Sequence, residues 1–530
     1  MSLESVKTAF RSILESYDFC YGAEVVTTRG YTPSPHRDHS AAMAAELAAD
    51  PRLAWISITD NPGGGPMLPP DSLAEKLTTT GCPLVIHLSC KDANRSMLES
   101  ATWRYAAEGC HNILALTGDY PTTAFGGQPQ PVFDLDSVTL IKMLSTMNAG
   151  LQIQGRGGKL QTLPSTDFYI GCAVSPFKRF ERELMPQYFK LLLKIEAGAR
   201  WIVPQLGYDM RKFNEIRLLL SACGLRVPVI GNVYLLNRTV ARLFNKGKLP
   251  GCVVSDRLLA LVEKYASGED KGREFFRDLA AKQLAVFKGL GFAAGYLGGI
   301  AQSDTFFDII DRAESFAEND WREFLPEIRF SQPDEFFLFH HDERTGLAWP
   351  DMVASGVIDS LLRKRRSREA SLNYKVSRTV HHVVFTRNRG FYGTMRRLHA
   401  LLYRKNKPGF MAHSLHRLEQ LSKRVLYGCE DCGDCSLPEI AYLCPNASCS
   451  KNQRNGPCGG STDGRCEVGD KQCIWTRAYL RLARYAEAET LVGRPIVVHN
   501  PALQGTSAWA NLYLDRDHTA DNSCEEIPAT

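Results

Sequence analysis

Eight short apolar runs recur along residues 1–320, and longer amphipathic stretches separate them. The runs are FCYGAEVVTT, LAWISITDN, PLVIHLSC, HNILALTGD, FYIGCAVSP, WIVPQLGYD, VPVIGNVYLL and FAAGYLGGI. Apolar runs that alternate with helix-like segments such as NRSMLESATWRYAAEGC are typical of βα units in a parallel sheet. Eight such units in about 300 residues favour a TIM barrel over an open doubly wound sheet, which stays the alternative.

Polar side chains stand at or near the ends of these runs. Thr59 follows ISI, His87 lies in VIHLSC, Asp119 ends LTGD and Gln205 follows WIVP, while Glu24 interrupts the first run. Active sites of TIM barrels lie at the carboxyl ends of the strands, so we expect these side chains to share one site. Burial raises the pKa of a carboxyl group, which makes Glu24 a candidate general acid. Taken singly, such residues also have structural explanations: a core histidine, a helix N-cap or a buried ion pair.

A second feature is a cluster of eight cysteines within 45 residues, spaced C-x2-C-x2-C-x8-C-x4-C-x8-C-x7-C-x6-C. Three cysteines at two-residue gaps with a distant fourth are typical of an iron–sulfur cubane, and eight thiolates suffice for two 4Fe–4S clusters. Two four-cysteine zinc sites fit the count equally well, but zinc sites favour paired C-x2-C knuckles. The predicted ligands are Cys429, Cys432, Cys435, Cys444, Cys449, Cys458, Cys466 and Cys473.

The charge distribution shows a strongly basic stretch, and the hydropathy argues against a membrane-spanning protein. The net charge of +5 conceals a basic stretch, residues 361–427, with 17 Lys and Arg against two Glu. Such a stretch can bind nucleic acid or another polyanion, or it can dock on an acidic surface. The N-terminus is typical of an amphipathic helix, and no apolar run approaches the roughly 18–20 residues of a membrane span. We therefore predict a cytoplasmic protein whose clustered cysteines hold metal, and whose seven cysteines in the first half are buried apolar residues.

The barrel segments together resemble the methylenetetrahydrofolate reductase family. The similarity covers residues 15–310 and lies in AEVV, SIT, HLSCKDA, HNILALTGDYP and KIEAGARWIVPQLGYD. It implies a flavin-dependent TIM barrel that transfers hydride between reduced flavin and 5,10-methylenetetrahydrofolate, giving 5-methyltetrahydrofolate. By position it implies that Glu24 is the general acid, and that Asp119 and Gln205 bind the pterin, with Asp119 also near the flavin. The implied flavin contacts are Thr59, His87, Leu116, Thr117, Gly118 and Lys194, and FAD is favoured over FMN.

Three departures from the family pattern concern the cofactor and the reductant. The segment CAVSPFKR replaces a YPEGHP-like segment and lacks its tyrosine and histidine cofactor contacts. Gln187 stands where an aspartate usually contacts the cofactor. Arg238 stands where the NADH-using enzymes have an aromatic residue against nicotinamide, which argues against direct oxidation of NADH.

Residues 377–485 resemble the C-terminal module of certain reductases, which acetogenic bacteria carry as a separate small subunit. The similarity lies in GCEDCGDCSLPEIAYLCP, CSKNQRNGPCGG, GRCEV and CIWTRAYLRL. It implies iron–sulfur clusters that pass single electrons to or from the flavin, and a protein partner such as a ferredoxin or another flavoprotein. We therefore expect a barrel at 1–320, a linker at 321–376 that is basic toward its end, a smaller, mostly helical or irregular iron–sulfur module at 377–485 and a tail at 486–530.

Two other functions stay open at this point. A folate-binding barrel of this type could transfer methyl groups to a corrinoid partner without any flavin. Alternatively, zinc ribbons and the basic stretch could together form a nucleic-acid-binding surface. We favour the reductase, with tetrahydrofolate as the bound substrate and without a membrane or nucleic-acid partner.

Overall fold

The computed structural model describes residues 10–16, 18–31, 38–155, 159–353, 372–387, 390–403 and 409–520. The chain divides into two compact units. The first unit comprises Met1–Ser355 and Cys458–Glu467, and the second comprises Gly356–Pro457 and Val468–Thr530. The segment Cys458–Glu467 of the cysteine-rich region therefore belongs to the first unit.

The eight predicted runs all form strands, and these strands make one parallel sheet. In chain order, the strands of the described residues are β1 (Cys20–Val25), β2 (Trp55–Ile58), β3 (Leu84–Ser89), β4 (Asn112–Leu116), β5 (Gln152–Gln154), β6 (Leu160–Thr162), β7 (Tyr169–Val174), β8 (Trp201–Pro204), β9 (Ile230–Tyr234), β10 (Ala294–Gly298), β11 (Phe339–His341) and β12 (Ala348–Val353). The sheet order is β8-β7-β4-β3-β2-β1-β10-β9, and a parallel bridge between Ile202 and Val229 joins its two ends. The prediction of a TIM-like barrel is confirmed.

Helices connect the strands and also occur in the second unit, among irregular segments. They are α1 (His39–Ala49), α2 (Pro70–Leu77), α3 (Arg95–Ala107), α4 (Ser137–Ala149), α5 (Glu181–Glu196), α6 (Met210–Ala222), α7 (Arg238–Asn245), α8 (Asp256–Ala266), α9 (Arg273–Leu290), α10 (Ser303–Ser315), α11 (Trp321–Glu327), α12 (Leu372–Val380), α13 (Gly390–Leu402), α14 (Phe410–Tyr427), α15 (Pro445–Ser448), α16 (Ile474–Ala483) and α17 (Ala508–Tyr513). Within the part of the chain that the structure describes, every helix is too short or too polar to span a bilayer.

A helical turn at residues 10–15 fills the amino end of the barrel. The Phe10 ring lies edge-on against Trp55 and Trp201, with ring centroids 5.3 and 5.4 Å away. These two tryptophans begin β2 and β8. A Cβ at Gly22 would lie 2.0 Å from the Trp55 ring, so the strand carries glycine where the indole packs. Because aromatic rings occupy this end, a ligand must enter from the carboxyl ends of the strands.

Two hairpins add to the barrel in the first unit. β5 and β6 pair antiparallel between α4 and β7, with their side chains exposed. β11 and β12 also pair antiparallel, and the amide of Phe339 donates to the buried carboxylate of Glu215 on α6 over 2.9 Å. Neither hairpin follows from the eight-run pattern, since both lie outside the βα repeat.

The second unit holds an irregular cysteine-rich segment among helices. Its buried arginines bond backbone and side-chain oxygens: Arg481 donates to the carbonyl of Ala441 over 2.8 Å, and Arg454 donates to Ser436 Oγ over 2.5 Å. Buried carbonyls outside regular helices and strands need such donors. Trp475 and Tyr479 on α16 complete this core.

The prediction that the seven cysteines of the first half of the chain are buried is only partly confirmed. The buried ones are Cys90, Cys110, Cys172 and Cys252, whereas Cys20 and Cys82 are partly exposed. Cys223 is exposed, so the prediction of burial is wrong there. It caps the carboxyl end of α6, a surface position where helix termination rather than packing sets the environment.

Candidate functional site

Glu24, Tyr296 and His87 form a hydrogen-bonded chain inside the barrel, toward the carboxyl ends of its strands. The Tyr296 hydroxyl donates to Glu24 Oε2 over 3.0 Å and lies 3.4 Å from His87 Nε2. A tyrosine hydroxyl has one proton, so donation to Glu24 requires that the Nε2–H of His87 donates to the tyrosine oxygen. Strands β10, β1 and β3 supply these residues, and barrel closure brings them together.

The electrostatics of this chain favour a proton on Glu24. Burial raises the pKa of its carboxyl group, while the hydrogen bond from Tyr296 acts in the opposite direction. Burial lowers the pKa of His87 to about 4, so its imidazole is neutral at pH 7. Burial, together with the charge of Glu24, raises the pKa of Tyr296 well above its usual range. Such a carboxyl group is suited to act as a general acid.

Strand β10 leaves room for the carboxyl group because it carries glycine beside it. A Cβ at Gly298 would lie 2.9 Å from Glu24 Oε1 and 3.3 Å from its Cδ. A side chain at this position would therefore displace the carboxyl group from its present position.

The loop after β2 contributes Thr59 and Asp60. Thr59 Oγ1 is buried and has no hydrogen-bond partner among the described residues. Asp60 Oδ2 accepts bonds from the amide and the hydroxyl of Ser89, over 2.9 and 2.7 Å. Asp60 therefore holds the end of β3 in place, while Thr59 leaves a buried hydroxyl that a ligand can bond.

Leu116, Thr117 and Gly118 form the end of β4 and the turn that follows it. Thr117 Oγ1 bonds Ser137 Oγ over 3.2 Å, at the first residue of α4. Gly118 has φ = 87°, and a Cβ there would lie 2.9 Å from the Lys91 side chain. The turn therefore requires glycine, because φ is positive there and the Lys91 side chain fills the place of a Cβ.

Asp119 and Gln205 stand at the ends of β4 and β8. Asp119 Oδ2 accepts a bond from the amide of Gly63 over 2.8 Å. Gln205 Oε1 accepts from the amide of Leu206 over 3.0 Å, and its Nε2 lies 3.3 Å from the point that a Gly251 Cβ would occupy. Each side chain therefore has one oxygen fixed by a backbone amide, which sets its orientation.

Lys194 and Gln187 lie on α5 and are both buried. Lys194 Nζ donates to the carbonyl of Ala173 in β7 over 2.6 Å, and burial lowers its pKa to about 8. Gln187 Nε2 and Ser175 Oγ are buried without a hydrogen-bond partner among the described residues. The predicted cofactor side of the barrel thus contains polar groups that the described protein atoms leave unsatisfied.

Arg238, at the start of α7, forms a surface ion pair. Its Nε lies 2.7 Å from Glu263 Oε2, and Arg242 contacts the same carboxylate over 2.5 Å. At the position where NADH-using relatives are expected to pack an aromatic side chain on nicotinamide, this chain therefore has an arginine that is ion-paired to α8.

Sequence reasoning missed Tyr296, although it lies in the eighth apolar run. The available signal was its hydroxyl within AAGYLGG, a stretch otherwise made of small and apolar residues. A buried tyrosine hydroxyl usually finds a partner, which here is the carboxyl group of Glu24.

Four cysteines of the second unit lie close together. Cys429, Cys432 and Cys435, with Lys423, line a small, partly open cavity. Cys432 and Cys444 act electrostatically on the thiol of Cys435, and Cys429 acts on that of Cys444, so the four thiols lie within range of one another. Burial raises the pKa of Cys435 to about 12, with the Lys423 ammonium acting in the opposite direction. These thiols fit the metal site predicted from the C-x2-C-x2-C spacing.

Backbone amides approach several of the predicted ligand sulfurs. The amide of Asp431 lies 3.4 Å from Cys429 Sγ, and that of Gln453 lies 3.5 Å from Cys449 Sγ. Amides that donate to thiolate ligands tune the properties of a bound metal centre. Cys458 and Cys466 belong to the first unit, in the segment Cys458–Glu467.

Two family models match the chain. One, described as methylenetetrahydrofolate reductase, matches residues 10–285, which is more than half of the chain. The other, described as methylene-tetrahydrofolate reductase C terminal, matches residues 410–500. Together they cover the barrel up to α9, without strand β10, and the cysteine-rich segment.

Individual relatives share shorter stretches. The chain is 30% identical over 181 residues, 34% of its length, to methylenetetrahydrofolate reductase 2 of Saccharomyces cerevisiae, and the match covers 28% of that protein. It is 27% identical over 155 residues, 29% of its length, to 5,10-methylenetetrahydrofolate reductase of Pectobacterium carotovorum, and the match covers 44% of that protein. The chain thus spans less than half of either relative.

Among solved structures, one similar chain is an uncharacterized protein from Clostridium thermocellum that binds two copies of 5-methyl-5,6,7,8-tetrahydrofolic acid. The alignment covers 58% of this chain and 97% of that one, at 12% identity and a TM-score of 0.40.

Proposed function

The chain belongs to the methylenetetrahydrofolate reductase family, and we propose that it interconverts 5,10-methylenetetrahydrofolate and 5-methyltetrahydrofolate. The observation that carries the proposal is the Glu24 carboxyl group. It lies at the barrel position where the resemblance expects a general acid, its pKa is raised, and Tyr296 orients it.

Glu24 has the properties that opening of the folate ring requires. The one-carbon bridge becomes a reactive iminium only when the departing nitrogen is protonated. A carboxyl group with a raised pKa keeps its proton at a pH where an exposed glutamate has lost it. In the proposed mechanism Tyr296 holds Oε2, so Oε1 carries the proton toward the substrate. The neutral His87 orients Tyr296 without adding a charge that would favour ionisation of Glu24.

Asp119 and Gln205 are the proposed pterin contacts. A pterin presents paired hydrogen-bond donors and acceptors along one edge, and a carboxylate and an amide can bond such an edge together. Backbone amides already fix one oxygen of each side chain. The second Asp119 oxygen and the Gln205 amide nitrogen are the atoms that we expect to meet the substrate.

The residues present fit a flavin. Buried polar atoms of Thr59, Ser175 and Gln187 have no hydrogen-bond partner among the described residues and are available for a polar ligand. We propose that Thr59, His87, the turn 116–118 and Lys194 hold the flavin, with FAD favoured over FMN. A bound flavin would supply or accept the hydride as a pair of electrons, and it could exchange single electrons with an iron–sulfur cluster.

The cysteine-rich segment is the proposed route for electrons. Cys429, Cys432, Cys435 and Cys444 would hold one 4Fe–4S cluster, and the eight predicted ligands are enough for two. Such clusters carry single electrons. A ferredoxin or another flavoprotein is the proposed partner. The match of residues 410–500 to a reductase C-terminal region supports this interpretation over a nucleic-acid-binding zinc ribbon.

The first test is anaerobic purification of the full chain with quantitation of iron, zinc and flavin. The proposal expects about eight irons and one flavin per chain, both bleached on reduction with dithionite. Two zincs with one flavin would keep the reductase but remove the electron relay. Metal without flavin would rule out the reductase and favour a methyltransferase barrel.

The second test is Glu24→Gln. Loss of a general acid typically costs about 10²–10⁴-fold in rate, so we expect folate turnover to fall at least a hundredfold while the flavin content is unchanged. Glu314→Gln is the matched control, because Glu314 also accepts a hydrogen bond from a tyrosine, Tyr21, away from the Glu24 site. Undiminished turnover in Glu24→Gln would remove Glu24 from the acid role.

A further inference from the structure

Lys178 joins the barrel to the segment Cys458–Glu467, and both belong to the first unit. Its Nζ donates to the carbonyl of Gly459 over 2.6 Å and to that of Ser461 over 2.5 Å. The lysine is 2% exposed. Burying an ammonium group is costly unless oxygens accept its hydrogen bonds. Lys178 therefore needs the carbonyls of Gly459 and Ser461 in order to be buried at this position.

The segment is a short, self-bonded turn. Thr462 and Arg465 exchange backbone hydrogen bonds of 3.0 and 2.9 Å around Asp463 and Gly464, both with positive φ. An Asp-Gly pair is typical of the tight turn that closes a hairpin. At its open end, Cys458 Sγ lies 3.5 Å from the Glu467 carboxylate. The segment therefore has a defined shape that Lys178 can hold as one piece.

The segment reaches the proposed folate-binding end of the barrel. The carbonyl oxygen of Gly459 and Nε2 of Gln205 both lie 3.3 Å from the point that a Gly251 Cβ would occupy, and Ser175 Oγ lies 3.4 Å from it. Three groups thus converge on one bare backbone position. Gly459 itself faces Ser175, whose Cβ would be 3.4 Å from a Gly459 Cβ.

Cys252 links the same groups electrostatically. This thiol is 8% exposed, and burial raises its pKa to about 12. Asp119 and Glu24 raise it further, and Lys178 lowers it. Lys178, the proposed general acid Glu24 and the proposed pterin contact Asp119 therefore all act electrostatically on this one thiol. This agrees with the short distances from Gly459, Gln205 and Ser175 to the Gly251 position.

We propose that residues 458–467 form a wall of the folate-binding end of the barrel, with Lys178 as the positioning residue that holds this wall. The inference rests on the proposed function. Cys458, a predicted cluster ligand, precedes Gly459 in the chain. The carbonyl of Gly459 and Nε2 of Gln205 lie at the same distance from the Gly251 Cβ point. The chain departs from its family at the segment CAVSPFKR, which contains Lys178, so the residues that replace the usual cofactor contacts are those that hold the wall.

Hydrogen–deuterium exchange of the anaerobically purified holoenzyme tests the wall directly. With 5-methyltetrahydrofolate as the probe, we expect exchange to slow in peptides covering 458–467 as well as in those containing Asp119 and Gln205. Slowing at Asp119 and Gln205 with no change at 458–467 would overturn the wall. If no peptide of the barrel slows, folate does not bind there, and the proposed function itself fails.

Steady-state kinetics test the role of Lys178. A buried hydrogen bond to a charged group corresponds to about a tenfold effect or more, so Lys178→Ala should raise the KM for 5-methyltetrahydrofolate about tenfold and change kcat by less than about threefold. Lys178→Arg keeps donors and should stay within about threefold of wild type. Lys264→Ala, at an exposed lysine of α8, is the matched control.

The flavin and metal content of Lys178→Ala is measured alongside its KM, to show whether the variant is folded. An unchanged KM in a folded variant would overturn the positioning role. If the variant does not fold, the exchange experiment on the wild-type protein still decides whether the wall exists.

Discussion

Tyr296 and Glu24 stand 272 positions apart in the chain, yet the hydroxyl of one donates to the carboxyl group of the other over 3.0 Å. The pair joins the last barrel strand to the first. The hydrogen bond from Tyr296 lowers the pKa of the Glu24 carboxyl group, on which the proposed acid catalysis depends, because it favours the ionised form.

Tyr296→Phe should lower folate turnover about tenfold, since it removes the hydrogen bond that orients the Glu24 carboxyl group. The substitution should also raise the pKa of Glu24 further, because the Tyr296 hydrogen bond lowers it. In the direction that forms 5-methyltetrahydrofolate, activity requires protonated Glu24 and falls as the pH rises through this pKa. The falling limb of kcat/KM against pH should therefore move to higher pH.

Tyr169→Phe is the control for that experiment. The Tyr169 hydroxyl is buried, has no hydrogen-bond partner among the described residues and lies at the first residue of β7, toward the amino end of the barrel. Its pH profile should match that of wild type, and a Tyr296→Phe profile that also matches would contradict the role of Tyr296.

Glu24→Gln should stabilise the protein at high pH. Because the folded-state pKa of Glu24 is raised, its ionisation costs more in the folded protein than in the unfolded chain. The cost is absent below the ordinary value of 4.5, where both states are protonated, and it grows as the pH rises through the raised pKa. The melting temperature of the variant should exceed that of wild type at about pH 8 and equal it near pH 4.

Glu314→Gln should behave in the opposite way. Hydrogen bonds from Tyr21 and Lys288 outweigh partial burial and lower the pKa of Glu314, so its stabilising contribution is present above the ordinary glutamate value and is lost as the pH falls. This variant should melt below wild type at about pH 8. Calorimetry of both variants across pH measures the two trends, and equal shifts in both would refute the sign assigned to Glu24.

Gly298→Ala should impair turnover without unfolding the barrel. The added Cβ would lie 2.9 Å from Glu24 Oε1, so the carboxyl group must shift from its present position. A displaced catalytic group of this kind costs on the order of a hundredfold in rate. Gly393→Ala is the matched control, because a Cβ there would meet nothing within 4 Å. Wild-type kinetics in Gly298→Ala would show that the position of Glu24 is not critical.

Cys435→Ser should remove one metal centre and leave the flavin in place. If the four neighbouring thiols hold a 4Fe–4S cluster, the variant loses roughly four of its irons, and a zinc site would lose one zinc. Cys223→Ser, at an exposed thiol outside the cluster, should change neither. Elemental analysis after anaerobic purification measures the loss, and a full metal complement in Cys435→Ser would exclude this thiol as a ligand.

The regular alternation of apolar runs and helix-like stretches was sufficient to predict the barrel and the strand ends that carry Thr59, His87, Asp119 and Gln205. Local patterns carry this information because each βα unit is a short-range feature of the chain. The spacing of Cys429, Cys432 and Cys435 is likewise a local pattern, and the metal site that it predicts stays a prediction. The hairpins β5–β6 and β11–β12 were missed because they lie outside the repeat.

The sequence by itself thus determined the strands, the end of the barrel at which we expect the chemistry and the kinds of side chain available there. Only the tertiary structure decided which of them meet. The partners of Glu24 and Lys178 lie 272 and 281 positions away, and the second brings part of the cysteine-rich region to the barrel. Such pairings depend on how the sheet closes and on which carbonyls a buried ammonium can reach, and no periodicity along the chain records either.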